Sequence, residues 1–317
     1  MGIALLIQCI KRAKETGASD LHIYAGEKPH IRVHGVLEEL SSLPAPEEEE
    51  IYAILEAVAS KKLRERFFHE REIDFGCTVR IDDEEIRLRA NAAICLDRTL
   101  LVFRLLAEHI PTLEELALPG TLREIAQQKS GLFLVTGRTG MGKSTTLAAI
   151  IEYINRLAQK HIVTVEDPVE YLFQPKLSRI HQREVGTDCV SFRVAIEKSL
   201  RQDIDLIMAG ELRDLETIQA ALTAAETGHL VLATLHTQNA AQSIERIVDV
   251  FPGGMQNQIR AQLSLTLRGI LSQQLVPTTK GVRTAAFELL LATHAVRSCI
   301  RESKTTLLKN IMQTGAM

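Results

Sequence analysis

The chain has 317 residues, a length that suits two domains, and 45% of them are hydrophobic, enough for substantial cores. With 37 Lys and Arg against 40 Asp and Glu, the formal net charge of −3 gives no overall attraction to nucleic acid. The five cysteines are scattered and contain no CxxC pair, which argues against a disulfide framework or a zinc ribbon and fits a reducing cytoplasm.

The opening MGIALLIQCIKRAKE carries its positive charges after the apolar run and is followed by no small-residue cleavage site. It reads as an amphipathic helix over roughly residues 3–16, which Gly17 can end. No apolar run along the chain is long enough to span a bilayer. SDLHIYAGEKPHIRVHGVLEEL then alternates apolar and polar residues, interrupted by Gly26-Glu-Lys-Pro29 and Gly35, as short antiparallel strands would. PAPEEEEIYAILEAVAS supplies a proline, an acidic first turn and a helical apolar period, so a helix is expected there. REIDFGCTV, EIRLRANAAICL and TLLVFRLL read as further strands. These elements make an α+β domain over residues 1–106.

Residues 107–120, AEHIPTLEELALPG, contain two prolines and little strand character, and read as a linker. From 121 to 317 strand and helix alternate. GLFLVTG, HIVTVED, DLIMAGE and LVLATLHT read as strands, and segments from Lys143, FRVAIEKSLRQ and LETIQAALTAAETG read as helices. Repeated βα units predict an α/β fold with a mostly parallel sheet. After Phe251-Pro252 the chain reads as mostly helical.

The strongest signal is Gly137-Arg-Thr-Gly-Met-Gly-Lys-Ser144, which matches G-x-x-x-x-G-K-[ST] between an apolar strand and a helix. Gly137, Gly140 and Gly142 let the backbone curl so that its N–H groups point at phosphate oxygens, with Thr139 and Thr145 in the same loop and first helical turn. Lys143 can reach the β- and γ-phosphates of ATP, and the Ser144 hydroxyl can ligate Mg²⁺. Hydrolysis also needs carboxylates at the ends of neighbouring strands, because ligands of open α/β sheets sit at the strands' carboxyl ends. Two strands end in acid, one at Glu166-Asp167 and one at Glu211. Holding Mg²⁺ through water and orienting the attacking water are the two roles open to these acids.

His229 and His236 bracket an apolar run. Residues seven apart on one strand point to opposite faces, so the pair cannot hold one metal ion. His236 falls at the carboxyl end and is expected as a γ-phosphate contact or sensor. His229 falls at the other end and is expected at a domain or subunit contact.

GRTGMGKSTT, TVEDPVEY, RQDIDLIMAGELRDLETI and TAAETGHLVLATLHT resemble the Walker A, Asp box, Walker B and His box of the secretion-superfamily ATPases. ASDLHIYAGEKPHIRVHG and IPTLEELALP resemble the same family, and AVRSCIRE (295–302) is similar to a motif of its type IV pilus retraction ATPases. The resemblance implies a cytoplasmic, hexameric ATP-driven motor with a PAS-like N-terminal domain and a RecA-like C-terminal domain. Such a motor works at the cytoplasmic face of the inner membrane, on a pilus platform protein. The resemblance implies that Glu166 activates water, that Glu211 assists Mg²⁺, that both histidines belong to a functional box, and that Arg89 and Arg104, with Arg87 a weaker candidate, reach the phosphates. This chain departs from the family pattern at Arg138, Met141, Ile204 and Cys299. A sibling secretion or pilus-assembly ATPase is one competing expectation, and a nucleotide-binding ring subunit without turnover is another. A nucleic-acid-dependent motor is disfavoured by the charge and by an aromatic content of only 4%, which leaves no stacking platform.

Overall fold

The computed structural model describes residues 2–106, 109–278 and 283–314. The backbone forms two compact units, Met1–His109 with Asp167–Leu172, and Ile110–Glu166 with Phe173–Met317. The short segment after Glu166, expected within the second domain, therefore groups with the first unit. Pro168 ends the preceding strand, and the Arg87 Nε donates to the Val169 carbonyl at 3.2 Å.

The first unit runs α1 (Gly2–Thr16), β1 (Asp20–Tyr24), β2 (His30–Val33), β3 (Val36–Glu39), α2 (Glu48–Val58), α3 (Lys61–Glu70), β4 (Glu72–Ile81), β5 (Glu84–Cys95) and β6 (Arg98–Leu105). Its sheet has the order β3-β2-β1-β6-β5-β4, antiparallel throughout. One face is apolar: Ile73, Phe75, Cys77, Val79 and Ile81 alternate inward along β4 and meet Ile86, Leu88, Ala90 and Ala92 of β5. The buried stripe Leu5, Leu6, Cys9, Ile10 and Ala13 of α1 joins the same core. Helix α3 escapes the sequence reading because KKLRERFFHE buries only Leu63 and Phe67. Capping defines it instead: Ser60 accepts the Leu63 N–H at 3.3 Å, and Arg71 closes the helix at φ 66°.

The second unit runs α4 (Leu122–Ala126), β7 (Gly131–Thr136), α5 (Lys143–Leu157), β8 (His161–Glu166), β9 (Arg179–Glu184), α6 (Phe192–Ser199), β10 (Leu206–Ala209), α7 (Leu215–Glu226), β11 (Leu230–Leu235), α8 (Ala240–Asp249), α9 (Gly253–Thr266), β12 (Leu267–Pro277), β13 (Arg283–Leu291), α10 (His294–Arg301) and α11 (Leu308–Thr314). The sheet order is β13-β12-β7-β11-β10-β8-β9. Every pairing is parallel except β12 with β13, so the expected α/β fold with a mostly parallel sheet is present. Strands β7, β10 and β11 are buried along their whole length, as strands covered on both faces must be.

The expected mostly helical C-terminal part is corrected by β12 and β13, two long strands inserted between α9 and α10. The run LRGILSQQLVP lacks the β-branched density of a strand, and burial between β7 and β13 replaces alternation with a continuous buried stretch. Strand β9 was unexpected for the opposite reason: RIHQRE is polar and lies at the sheet edge.

Candidate active site

The P-loop leaves β7, which pairs with β11 on one side and β12 on the other. At Gly137 φ is 149°, and a Cβ built there would lie 2.5 Å from the backbone carbonyl oxygen of Gln273 on β12. At Gly142 φ is 79°, the left-handed residue that turns the loop into α5. Only glycine fits both positions without strain. Lys143 opens α5 and is buried, with its Nζ donating to the carbonyls of Gly137 at 2.8 Å and Arg138 at 3.2 Å. Its ammonium is thereby held inside the curl of the loop. Thr139, Gly140 and Ser144 are exposed, and Thr145 is half-buried. The 15-residue α5 directs its N-terminus at this loop and adds positive potential there.

The acids and one histidine arrive at the same sheet edge by register. Val165 of β8 stands opposite Ala209 of β10, so Glu166 closes β8 level with Gly210, and Glu211 follows one residue on. Leu235 of β11 stands opposite Thr136, which sets His236 level with Gly137. His236 joins these parts: its Nδ1 lies 3.3 Å from the Thr139 hydroxyl, and its Nε2 lies 3.1 Å from Glu211 Oε1. Arg213 Nε holds the other Glu211 oxygen at 2.8 Å. A continuous polar line thus runs from the P-loop through His236 and Glu211 to Arg213. Glu166 is buried, and its Oε1 accepts from the Thr164 hydroxyl at 2.7 Å and from Gln182 Nε2 at 3.3 Å. Donors of this kind make a buried carboxylate tolerable and fix its direction.

His229 stands at the opposite edge of the sheet. Its N–H donates to the Ala224 carbonyl at 3.1 Å, its carbonyl accepts the Gly131 N–H at 3.0 Å, and its ring Nδ1 lies 3.2 Å from the Ala224 oxygen. Both histidines flank β11 just outside its ends.

Arg89 and Arg104 belong to the first unit, directly opposite each other in the β5–β6 pairing. Arg104 Nε donates to Asp20 Oδ1 at 2.9 Å, and Asp20 in turn stands opposite Arg32. Burial alone would raise the Asp20 pKa, but the Ser19 hydroxyl and the Arg104 guanidinium bring it below the ordinary carboxylate value. Arg87 donates to the Val169 carbonyl and, at 3.4 Å, to Thr78.

Three polar residues of the site were not foreseen. Gln182 lies on β9, and Ser272 and Gln273 lie on β12. Thr136 donates to Ser272 Oγ at 2.9 Å, and Thr146 donates to Gln273 Oε1 at 2.8 Å. The available signal was the polar triplet Ser272-Gln-Gln274 set between Ile270-Leu271 and Leu275-Val276. Among the described residues, no group of three or more His, Cys, Asp and Glu side chains could hold a metal. Mg²⁺ does not require one, because one or two protein oxygens with phosphates and water suffice. The exposed Ser144 hydroxyl and the Glu211 carboxylate supply hard oxygens of that kind.

The family profile described as Type II/IV secretion system protein matches residues 2–307. The chain is 42% identical over 299 residues to the type IV pilus retraction ATPase PilT of Pseudomonas aeruginosa, covering 94% of this chain and 86% of that protein. It is 44% identical over 288 residues to a twitching motility protein of Neisseria gonorrhoeae, covering 90% of this chain and 76% of that one. A crystal structure of the pilus retraction motor PilT with bound ADP superimposes with a TM-score of 0.91 at 43% identity, covering 97% of this chain and 89% of that chain.

Proposed function

The chain belongs to the Type II/IV secretion system protein family, and from that premise we propose that it is an ATP-hydrolysing motor powering type IV pilus retraction. The observation that carries this reading is the polar line from the P-loop through His236 to Glu211, with the buried Glu166 on the same sheet edge. Similarity to retraction ATPases along nearly the whole chain favours retraction over pilus assembly.

In this reading the N–H groups of the loop from Gly137 to Thr145 bind the phosphates, and Lys143 moves onto the β- and γ-phosphoryl oxygens. Ser144 would hold Mg²⁺, with Glu211 assisting through water. Held there, Mg²⁺ would supply neutralisation of the negative charge on the phosphates. Glu166 accepts the proton of the attacking water, its carboxylate aimed by Thr164 and Gln182. His236 reports on the γ-phosphate and passes its position to Glu211. Arg89 and Arg104 are the proposed cationic partners of the phosphates, and we read the first unit as PAS-like, the second as RecA-like and residues 107–120 as the linker. A positioned guanidinium is worth about 10³–10⁵ in rate in phosphoryl transfer. His229 serves a domain or subunit contact. The working form is a homohexameric ring in the cytoplasm, at the inner-membrane face against the pilus platform protein. Among the described residues, no helix is long and apolar enough to cross a membrane.

The test combines biochemistry and phenotype. The purified protein is expected to hydrolyse ATP, and Glu166→Gln to keep ADP binding while losing turnover. Retained turnover in that variant would remove Glu166 as the base. Cells lacking the gene are expected to accumulate surface pili without twitching. Cells with no pili would overturn retraction in favour of assembly.

A further inference from the structure

We propose that Gln273 is a positioning residue for the P-loop, its side-chain amide setting the loop's grip on a nucleoside diphosphate or triphosphate. The inference deepens the reading of the loop as an ATP site and rests on it. Gln273 is buried on β12 and uses both ends of its amide. Oε1 accepts from the hydroxyl of Thr146 in the first turn of α5 at 2.8 Å, and Nε2 donates to the Met141 carbonyl inside the loop. Its own backbone oxygen occupies the space that a side chain at Gly137 would need. The next residue but one, Leu275, directs its N–H at Met141 Sδ at 3.3 Å. β12 therefore touches the loop where it begins, in its middle and where it becomes helix.

The consequence follows from peptide geometry. The C=O and N–H of a trans peptide point in opposite directions. Holding the Met141 carbonyl toward β12 turns the Gly142 N–H the other way, away from β12, where it is available to a phosphate oxygen. Without that hold the peptide can rotate, helped by the permissive backbone of Gly142, and the donor is lost. The Gln273 contact needs only the Met141 carbonyl, and the Met141 Sδ adds a separate contact from the Leu275 N–H.

Gln273→Leu keeps the volume and removes both hydrogen bonds. It is expected to weaken binding of a fluorescent Mg-ADP analogue about tenfold and to raise the KM for ATP comparably, with kcat within about threefold of the parent chain. Gln273→Glu separates positioning from packing. As a carboxylate it still accepts from Thr146 but opposes the Met141 carbonyl. Once protonated it donates again. Its ADP affinity is expected to recover toward the parent value as pH falls from about 8 to about 5, a trend that a packing role would not give. Unchanged ADP affinity in Gln273→Leu, or a Gln273→Glu profile parallel to that of the parent chain, would overturn the proposal. If Gln273→Leu does not fold, the Gln273→Glu profile decides alone. A parent chain that bound no Mg-ADP would overturn both this inference and the nucleotide reading beneath it, whereas parent binding with indifferent variants overturns this inference only.

Discussion

Replacing His236 with alanine removes a link between the P-loop and Glu211 and leaves both neighbours in place. The imidazole approaches Glu211 Oε1 at 3.1 Å and the Thr139 hydroxyl at 3.3 Å. A hydrogen bond to a charged group is worth about 1.5–3 kcal/mol. The His236 side chain is 41% exposed, so solvent screening reduces that to about 1–2 kcal/mol. If the link is made in the transition state, turnover falls roughly 5- to 30-fold. Glu211 keeps its contact with Arg213, which is why the loss stops short of that expected for a missing carboxylate. His229→Ala gives the internal comparison. Its ring contacts are with the Ala224 carbonyl and the Thr227 hydroxyl at the far edge of the sheet, and its backbone bonds survive the substitution. Turnover there is expected to stay within about threefold, since the lost neutral hydrogen bond is worth about 1 kcal/mol of local stability. Steady-state phosphate release, measured on variants of matched melting temperature and oligomeric state, reads both. Equal losses from the two substitutions would refute the division of roles.

Two further outcomes follow from the packing of the second unit. Arg297 of α10 donates to the carbonyls of Ser264 at 2.6 Å, Leu265 at 2.8 Å, Leu267 at 3.0 Å and Ala292 at 2.9 Å, closing the end of α9 and the start of β12. Arg297→Ala is expected to lower unfolding stability by about 2–4 kcal/mol in urea titrations, and an unchanged midpoint would show that water replaces the guanidinium. Buried Glu152 contacts Lys176, Arg156 and Asn155. Burial would raise its pKa, but these partners bring it below the ordinary value. A carboxyl lowered on folding contributes stability above its unfolded pKa and loses it as pH falls through the folded one. Glu152→Gln is therefore expected to be less stable by about 1–2 kcal/mol at pH 7, and the difference from the parent chain to shrink as pH falls below the ordinary carboxylate range. A difference that persists undiminished at pH 3 would exclude the ion pairs as its source.

The parts of this molecule legible in the sequence are those where local chemistry and tertiary demand agree. Gly137, Gly140, Gly142, Lys143 and Ser144 fit the loop pattern itself, and β7 declares itself by the apolar Leu132-Phe133-Leu134-Val135. The termini of β8, β10 and β11 were legible for the same reason, and they bring Glu166, Glu211 and His236 to one edge. What escaped depends on partners distant in sequence. The Gln273 amide meets Thr146 and Met141 more than 120 residues away, and β12 is a strand because β7 and β13 flank it. Its Leu- and Gln-rich composition would serve a helix equally well. The polar edge strand β9 hid Gln182 in the same manner.

The order of strands has a consequence for how the site yields under load. β7 lies third from one edge, clamped by a parallel partner on each side, whereas β8 has only the polar, half-exposed β9 between it and solvent. Strands with fewer buried neighbours open more readily. The groups proposed to grip phosphate therefore spring from an inner strand, and the carboxylate proposed to activate water springs from one nearer the edge. A strain that bends the sheet would displace Glu166 and Gln182 before it disturbed Lys143. On the proposed roles, force throttles bond cleavage while the nucleotide stays held, so that a stalled motor stops without letting go.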